Sequence, residues 1–383
     1  MTYGKIRQLV AYAVFVVFFI FSPIFSQTVK AEEEEFNAGE YIMGHITDEY
    51  GWHITTFNDH SISVPLPIIL FDNGLVTFSS SQLHHGEKAY NGYAMGFTEE
   101  TSGSIVKLGG DFADYTGELE EGATYPIDHV CKFDISITKN VCALFVSIIL
   151  LCWIFLSVAK RYKEGPLKAP KGLQSLLEPL VLFVRDEVAI PSIGEDKYQK
   201  YFPYLLTLFF FILVNNLMGL IPIFPGGANV TGNIAVTAVL AIITFFITNI
   251  SANKHYWKDI INAPGVPWWL KFPLPLMPIV EFIGVFTKPF VLMIRLFANI
   301  TAGHIIVLGF LGLIFIFGAM SPAIGYAVSP VSIFFYLFMG LLELLVAFIQ
   351  AFVFTLLSAI YIGMAIEEPH SEKKEEKAEI VIQ

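Results

Sequence analysis

Two apolar stretches near the C-terminal end, residues 274–318 and 331–366, are too long to stand upright in a bilayer as single helices. Straight α-helices of those lengths would extend about 67 and about 54 Å, against a hydrocarbon core of ~30 Å. No charged loop divides either stretch, so two strongly tilted helices are expected, with Pro275, Pro278 and Pro289 bending the first. From 272 to 366 only four residues carry a formal charge: Glu281, Lys288, Arg295 and Glu343, and His304 adds one titratable group. A guanidinium stays protonated at any working pH, and at a bilayer centre it costs about 2.5–3.5 kcal/mol on insertion scales. Such a charge has to face a protein partner or a wet cavity. So sparse a set, deep in apolar sequence, is the pattern of an ion path. The competing reading is an arginine that snorkels to an interface or caps neighbouring carbonyls.

The remaining composition agrees with a polytopic membrane protein carrying a soluble part. The 383 residues are 55% hydrophobic and 15% charged, with a mean hydropathy of +0.62. The three cysteines, Cys131, Cys142 and Cys152, are odd in number and show no C-x-x-C spacing, which argues against a disulfide framework or a zinc motif. Nothing resembles a nucleic-acid surface. Charge is unevenly spread: residues 32–138 carry 19 acidic and 3 basic side chains, a net of −16, which leaves +5 for the rest of a chain whose formal charge is −11. An acidic domain on one side and basic loops on the other is a topology signal.

Residues 1–31 read as a targeting segment: Lys5 and Arg7 lead an apolar run from Leu9 to Phe25, with Val29 and Ala31 before a possible cut. The run is long for a signal peptide, so an uncleaved anchor is the alternative; either delivers the adjoining acidic segment to the outside. That segment, 32–138, contains short β-branched runs such as HSISVPLPIILF and GLVTF, separated by turn signals, and predicts a small strand-containing outer domain. Five of its histidines, His45, His53, His60, His84 and His85, have no metal-ligand spacing and are expected in turns or at the surface. Beyond it, residues 139–368 predict a membrane domain with about five membrane helices and one amphipathic helix.

Its first span, Val141 to Ala159, ends at Lys160, Arg161 and Lys163, a basic flank that belongs in the cytoplasm. Residues 172–200 suit an amphipathic helix at the inner surface. A hairpin of spans is expected at 203–224 and 230–250, joined outside by the uncharged PGGAN. The loop NKHYWKD returns to the basic side. An uncharged turn at 319–330 joins the last two helices outside, and the charged tail 369–383 ends inside.

With those directions the 274–318 helix runs from inside to outside, carrying Glu281 near its inner end, Arg295 near its middle and His304 toward the outer face. Glu281 and Arg295, 14 residues apart, share roughly one helix face about 21 Å apart. If Gln350 on the antiparallel helix is level with Arg295, Glu343 lies about 10.5 Å and His304 about 13.5 Å outward of that level. A histidine beside a carboxylate can exchange protons near neutral pH, as a relay requires; a fixed buried ion pair is the duller alternative. Gln350 also fits ordinary interhelical glue, and Lys288 a snorkelling cation.

These residues match a family. The runs KPFVLMIRLFANITAGHII and LELLVAFIQAFVFTLLSAIYIGMAIEE closely resemble the last two helices of subunit a of F-type ATP synthases. QSLLEPLVLFVRDEV and FILVNNLMGLIP resemble earlier helices of the same subunit, so that the resemblance covers about 139–368. The outer domain is similar to the long N-terminal extension of some bacterial members. The resemblance implies a stator in a bacterial inner membrane, N-terminal domain outside and C-terminus in the cytoplasm, beside a rotating c-ring and peripheral-stalk b subunits. It implies two offset half-channels, no cofactor and no catalysis in this chain. Arg295 stands at the family's essential arginine; Asn299, His304, Glu343 and Gln350 at positions tied to the outer half-channel; Glu281 at one tied to the inner. In some bacterial members the acid and the histidine at 304 and 343 occupy each other's places, and that exchange supports a relay pair.

Two other functional classes have less behind them. A free-standing transporter would be expected to show an internal repeat, which is not evident here. An intramembrane hydrolase using His304 and Glu343 has no H-E-x-x-H or serine-elbow motif behind it, and no G-x-x-x-x-G-K-[ST] run provides a nucleotide site.

Overall fold

The computed structural model describes residue 39 and residues 47–368, apart from short gaps at 58–59, 73, 99–100, 102, 121–122, 132, 165–170, 222–225 and 262–275. The expected targeting segment and charged tail lie outside the described residues, as does His45.

Ten short strands precede the first described long helix: β1 Gly51–Phe57, β2 His60–Pro65, β3 Pro67–Phe71, β4 Leu75–Ser79, β5 Lys88–Ala89, β6 Tyr93–Met95, β7 Ile105–Leu108, β8 Gly117–Glu118, β9 Ile127–Val130 and β10 Phe133–Asp134. They pair antiparallel in four small sheets, ordered β1-β2, β10-β3-β4, β5-β8 and β6-β7-β9. The alternation in PIILF decides one core face: Ile68 and Leu70 point inward, onto Leu83, Tyr93, Ile105 and Cys131. The turn into β6 requires Asn91-Gly92, both left-handed at φ +49° and +74°, as a two-residue hairpin turn demands. A Cβ at Gly92 would also lie 1.9 Å from the carbonyl oxygen of Ala113.

The strands are fastened to the first long helix, α1 (Lys139–Glu164). Asp48 accepts from the Asn140 amide at 3.0 Å and from the Thr138 hydroxyl at 2.8 Å, so a carboxylate from the strand region caps the helix start. Trp52 on β1 is buried with Ala143 of α1 and with Ala228 and Val230 of a later loop.

The subsequent helices are α2 (Leu173–Phe183), a π-helical turn (Val184–Ala189), α3 (Ile190–Ile193), α4 (Tyr198–Leu220), α5 (Ile234–Ser251), α6 (Lys254–Ile261), α7 (Leu276–Met320) and α8 (Pro322–Ile366). Five described helices, α1, α4, α5, α7 and α8, are long and apolar enough to cross a membrane. The chain is an all-α polytopic membrane protein in this region, with a small strand-containing part before it. Helices α7 and α8 have 45 residues each, about 67 Å of helix, so both must tilt strongly to keep their apolar length in a ~30 Å core.

Two expectations need correction. The turn placed at 319–330 is a single residue, Ser321, and 322–330 are helical. The turn is this tight because Gly318 and Gly325 let the two helices touch: a Cβ on Gly325 would lie 2.8 Å from the Gly318 Cα. Pro322 suits the first helical turn, where its missing N–H costs nothing, and Pro330 is accommodated within α8. The 172–200 segment is likewise not one amphipathic helix. Its π turn brings Val184, Val188 and Ala189 all inward, against α4 and α8, while Asp186 and Glu187 face out. Part of this segment therefore packs into the bundle instead of lying wholly along its surface.

The bundle closes where α8 is small. Ala347, Ala351, Ser358 and Ala359 are fully or nearly fully buried, so that Leu205, Leu208, Phe209 and Ile212 of α4 can pack among them. Gly363 is the tightest point: a Cβ there would fall 1.9 Å from the carbonyl oxygen of Ser192. Gly363→Ala is expected to destabilise the bundle by about 1–3 kcal/mol, read as a lower melting temperature of the purified protein in detergent. An unchanged melting temperature would contradict the contact.

Candidate functional site

Each polar residue of the candidate path is positioned by helix periodicity. On α7, Val285, Leu292, Leu296 and Ile300 form the buried stripe. Arg295, Ala298, Asn299 and Ala302 fall on the exposed side, one and two turns apart. Thr301 and His304 occupy the boundary and turn toward the neighbouring elements. On α8, Glu343, Ala347 and Gln350 recur at i, i+4 and i+7 and are all buried.

His304 and Glu343 meet. Nδ1 of the imidazole contacts Oε1 of the carboxylate between α7 and α8, without the alignment of a hydrogen bond. Their side chains retain 15% and 6% of their exposure, so the pair is largely enclosed. Two glycines make the room: a Cβ at Gly303 would lie 3.1 Å from Glu343 Oε1, and one at Gly219 of α4 would lie 3.7 Å from His304 Nε2.

Buried asparagines and a threonine extend the polar region from α4 into the α4–α5 loop. Asn216 Nδ2 donates to the Ala347 carbonyl at 3.0 Å, one turn from Glu343, while its Oδ1 accepts from the Thr231 hydroxyl at 2.6 Å. The Asn229 side chain accepts from the Gly232 amide at 2.9 Å, and the Gly232 carbonyl accepts from Thr301 on α7 at 3.5 Å. Asn215 Oδ1 and Asn229 Nδ2 are buried without a hydrogen-bond partner among the described residues. Polar atoms in that position are ordinarily satisfied by ordered water. In the sequence these asparagines fall in or beside the spans without pointing to the site; the usable signal is that Asn215-Asn216 interrupts a run of phenylalanine and leucine.

Helix register places the rest. His304 meets Glu343, and Lys288 Nζ lies 5.6 Å from the centre of the Tyr361 ring. In an antiparallel pair these two contacts set Gln350 level with residues 297–299, about 3–6 Å from Arg295 toward the C-terminal end of α7. The assumption that Gln350 is level with Arg295 is thus corrected by up to one turn. Asn299 is exposed beside Arg295 and does not join the buried His304–Glu343 pair.

Arg295 makes no hydrogen bond or ion pair with another described residue, although its charge reaches the Tyr361 hydroxyl. Toward the N-terminal end of α7 from Arg295, Glu281 lies beside α6, where burial and then the Glu281 charge push the Tyr256 phenol above its usual range. The same carboxylate acts on Lys288. Lys288, Thr248, Asn249 and Tyr256 line one small pocket, in which Thr248 Oγ1 and Asn249 Oδ1 lack a described partner. The chain therefore holds two separate polar regions, one at the His304–Glu343 level and one at the Lys288–Glu281 level, with an exposed guanidinium between them.

Residues 141–363 match the family model described as ATP synthase A chain. The chain belongs to that family. Its relatives include ATP synthase subunit a of Chloroherpeton thalassium, 48% identical over 258 residues, which cover 65% of this chain and 72% of the relative. ATP synthase subunit a of Chlorobium phaeobacteroides is 41% identical over 298 residues, 75% of this chain and 82% of the relative. ATP synthase subunit a 2 of Prosthecochloris aestuarii is 42% identical over 307 residues, 78% of this chain and 90% of the relative. Residues 41–128 match a second model, Domain of unknown function (DUF8433). For this family member the strands and the membrane helices thus carry separate matches.

The glycine beside the buried pair generates a direct prediction. Gly303→Leu is expected to push the Glu343 carboxylate away from His304 and to lower proton flux through the assembled complex by roughly tenfold or more, while Gly303→Ala, a displacement of a few tenths of an ångström, costs less. Equal flux in both variants, measured in energised vesicles, would show that the pair's geometry is not part of the path.

Proposed function

We propose that the chain is the proton-conducting stator subunit of an F-type ATP synthase, a non-catalytic membrane subunit whose ATP chemistry belongs to partner subunits. The observation that carries this is Arg295: an unpaired guanidinium on an exposed helix face, between two polar regions at different depths. Its partner is a carboxylate on a neighbouring rotor, the c-ring. The small residues Ala298 and Ala302 on the same face leave room for that rotor's helices to approach.

In this reading the outer half-channel runs along Asn216, Thr231, Asn229, His304, Glu343 and Gln350, with Asn299 at its rotor end. The inner half-channel leaves past Glu281 and Lys288. A proton entering from the outside passes by exchange between imidazole and carboxylate, reaches the rotor acid, and departs inward after the ring has turned. Arg295 draws the deprotonated rotor carboxylate to the boundary and, being a fixed cation, repels a proton that would cross directly between the half-channels. A lysine could lose its proton in a dry site and open that leak; arginine cannot.

The topology rests on the basic flanks. The strand domain 32–138 lies outside, the membrane domain spans 139–368, and the tail 369–383 lies in the cytoplasm, with residues 1–31 as signal or anchor. Peripheral-stalk b subunits and lipid cover the remaining apolar faces. A fixed structural ion pair is the second reading of His304–Glu343, favoured by its direct contact.

Two sets of variants test these roles. Arg295→Lys and Arg295→Ala are expected to abolish ATP-driven proton pumping in inverted vesicles while the complex still assembles; normal coupled pumping by either would sink the assignment. Glu343→Gln is expected to slow pumping about 10²-fold, a typical share for one proton-transfer group, and exchange of His304 with Glu343 to retain some of it. Native-rate pumping by Glu343→Gln would leave the pair with only its structural role.

A further inference from the structure

The strand domain brings together a second set of chemistry-bearing side chains, far in sequence from the membrane path. Asp72 follows β3, His129 lies on β9 and Cys131 follows it, and their ligand atoms all lie within 4.8 Å of one another. His84, the one of the five histidines singled out from the sequence whose side chain is described, is not part of this cluster. Alternation along the β9 edge sends His129 and Cys131 to the same side, and pairing of β10 with β3, Phe133 opposite Phe71, draws both toward Asp72. Cys131 is a free cysteine, 8% exposed. Asp72 is largely enclosed and His129 partly open to solvent, so the cluster has a closed floor and an open side.

Outer partners already hold two of the three side chains in the orientation a metal ligand needs. The Tyr93 hydroxyl donates to Asp72 Oδ2 at 3.0 Å, leaving Oδ1 facing His129 Nε2 at 3.0 Å. On the far side of the ring, His129 Nδ1 lies 3.0 Å from Asp128 Oδ2, so that a metal bound at Nε2 would leave the ring proton on Nδ1, donating to Asp128. A simple Asp72–His129 ion pair needs neither the second carboxylate behind the ring nor a sulfur beside it. A carboxylate–histidine–metal arrangement uses all of them.

We propose that Asp72 Oδ1, His129 Nε2 and Cys131 Sγ form a zinc-class divalent metal site, with water at the fourth, solvent-facing position. One borderline nitrogen, one thiolate and one carboxylate suit a tetrahedral d-block ion of the zinc type and do not suit magnesium or calcium, which take oxygen ligands. Binding replaces the Cys131 thiol proton, which passes to water, and the uptake is therefore proton-releasing. The ion would clamp the end of β3 to the β9–β10 corner, giving a small domain of short strands a cross-link that its core does not supply.

The test uses the full-length chain in its detergent-solubilised complex, stripped with a chelator and titrated with Co(II). Expected is a thiolate-to-cobalt charge-transfer band that zinc displaces and magnesium does not. The band should vanish in Cys131→Ser and persist in Cys142→Ser and Cys152→Ser. Asp128→Asn, which touches only the back of the ring, should weaken cobalt binding about tenfold or more, and His129→Gln, at a partly exposed position, should weaken it further. No thiolate–cobalt band in the native protein, or the same band and affinity in Cys131→Ser, overturns the proposal. Cobalt binding unaltered by both His129→Gln and Asp128→Asn does so as well.

Discussion

A largely enclosed contact between an imidazole and a carboxylate sets the register of the polar groups on two helices of 45 residues. Helices α7 and α8 run antiparallel and nearly without interruption, joined by one residue, so a single interhelical contact fixes their register over about 67 Å. With His304 against Glu343, the Tyr361 ring comes to Lys288, Gln350 falls within one turn of the level of Arg295, and Asn216 of α4 reaches the Ala347 carbonyl beside the pair. The glycines at 219, 303, 318 and 325 matter because they let backbone and carboxylate approach where a Cβ would intervene. Burying a polar pair is costly in itself. Its enclosure by a further layer of asparagine and threonine gives the pair polar surroundings and links it to the loop beneath Trp52.

The same register leaves Arg295 without an ion-pair partner among the described residues. The apolar stripe of Val285, Leu292, Leu296 and Ile300 holds α7 against the bundle, and the helix period then turns Arg295 outward with Ala298 and Ala302. Glu281 and Glu343 are both committed elsewhere, one beside α6 and one against His304. A permanent cation on such a face needs a partner from another chain, and the proposed rotor carboxylate meets that need while also moving. In the proposed function, two polar regions on either side of that charge couple ion flow to rotation.

Much of this was legible in the residues. The five spans, the placement of Arg295 between Glu281 and His304, and the similar depth of His304 and Glu343 follow from hydropathy, helix rise and antiparallel packing alone. Other features were hidden for physical reasons. The turn expected at 319–330 vanished because two glycines and a proline at a first helical turn allow a one-residue connection, while uncharged sequence looks the same whether it loops or continues as helix. The π turn at Val184–Ala189 changes which side chains face inward, and no fixed period reveals such a local slip. Asp72 and His129 lie 3.0 Å apart although 57 positions separate them, a proximity made by strand pairing rather than by spacing.

Arg295 is proposed to answer a carboxylate on a moving partner. A structure of the complex with its rotor tests it most directly. The Arg295 guanidinium is expected within about 4–6 Å of a rotor carboxylate at the boundary between the two polar regions, the range over which an opposite charge holds a carboxyl ionised. Arg295 directed into lipid, or paired with an acid of its own chain while the rotor carboxylates lie elsewhere, would contradict it.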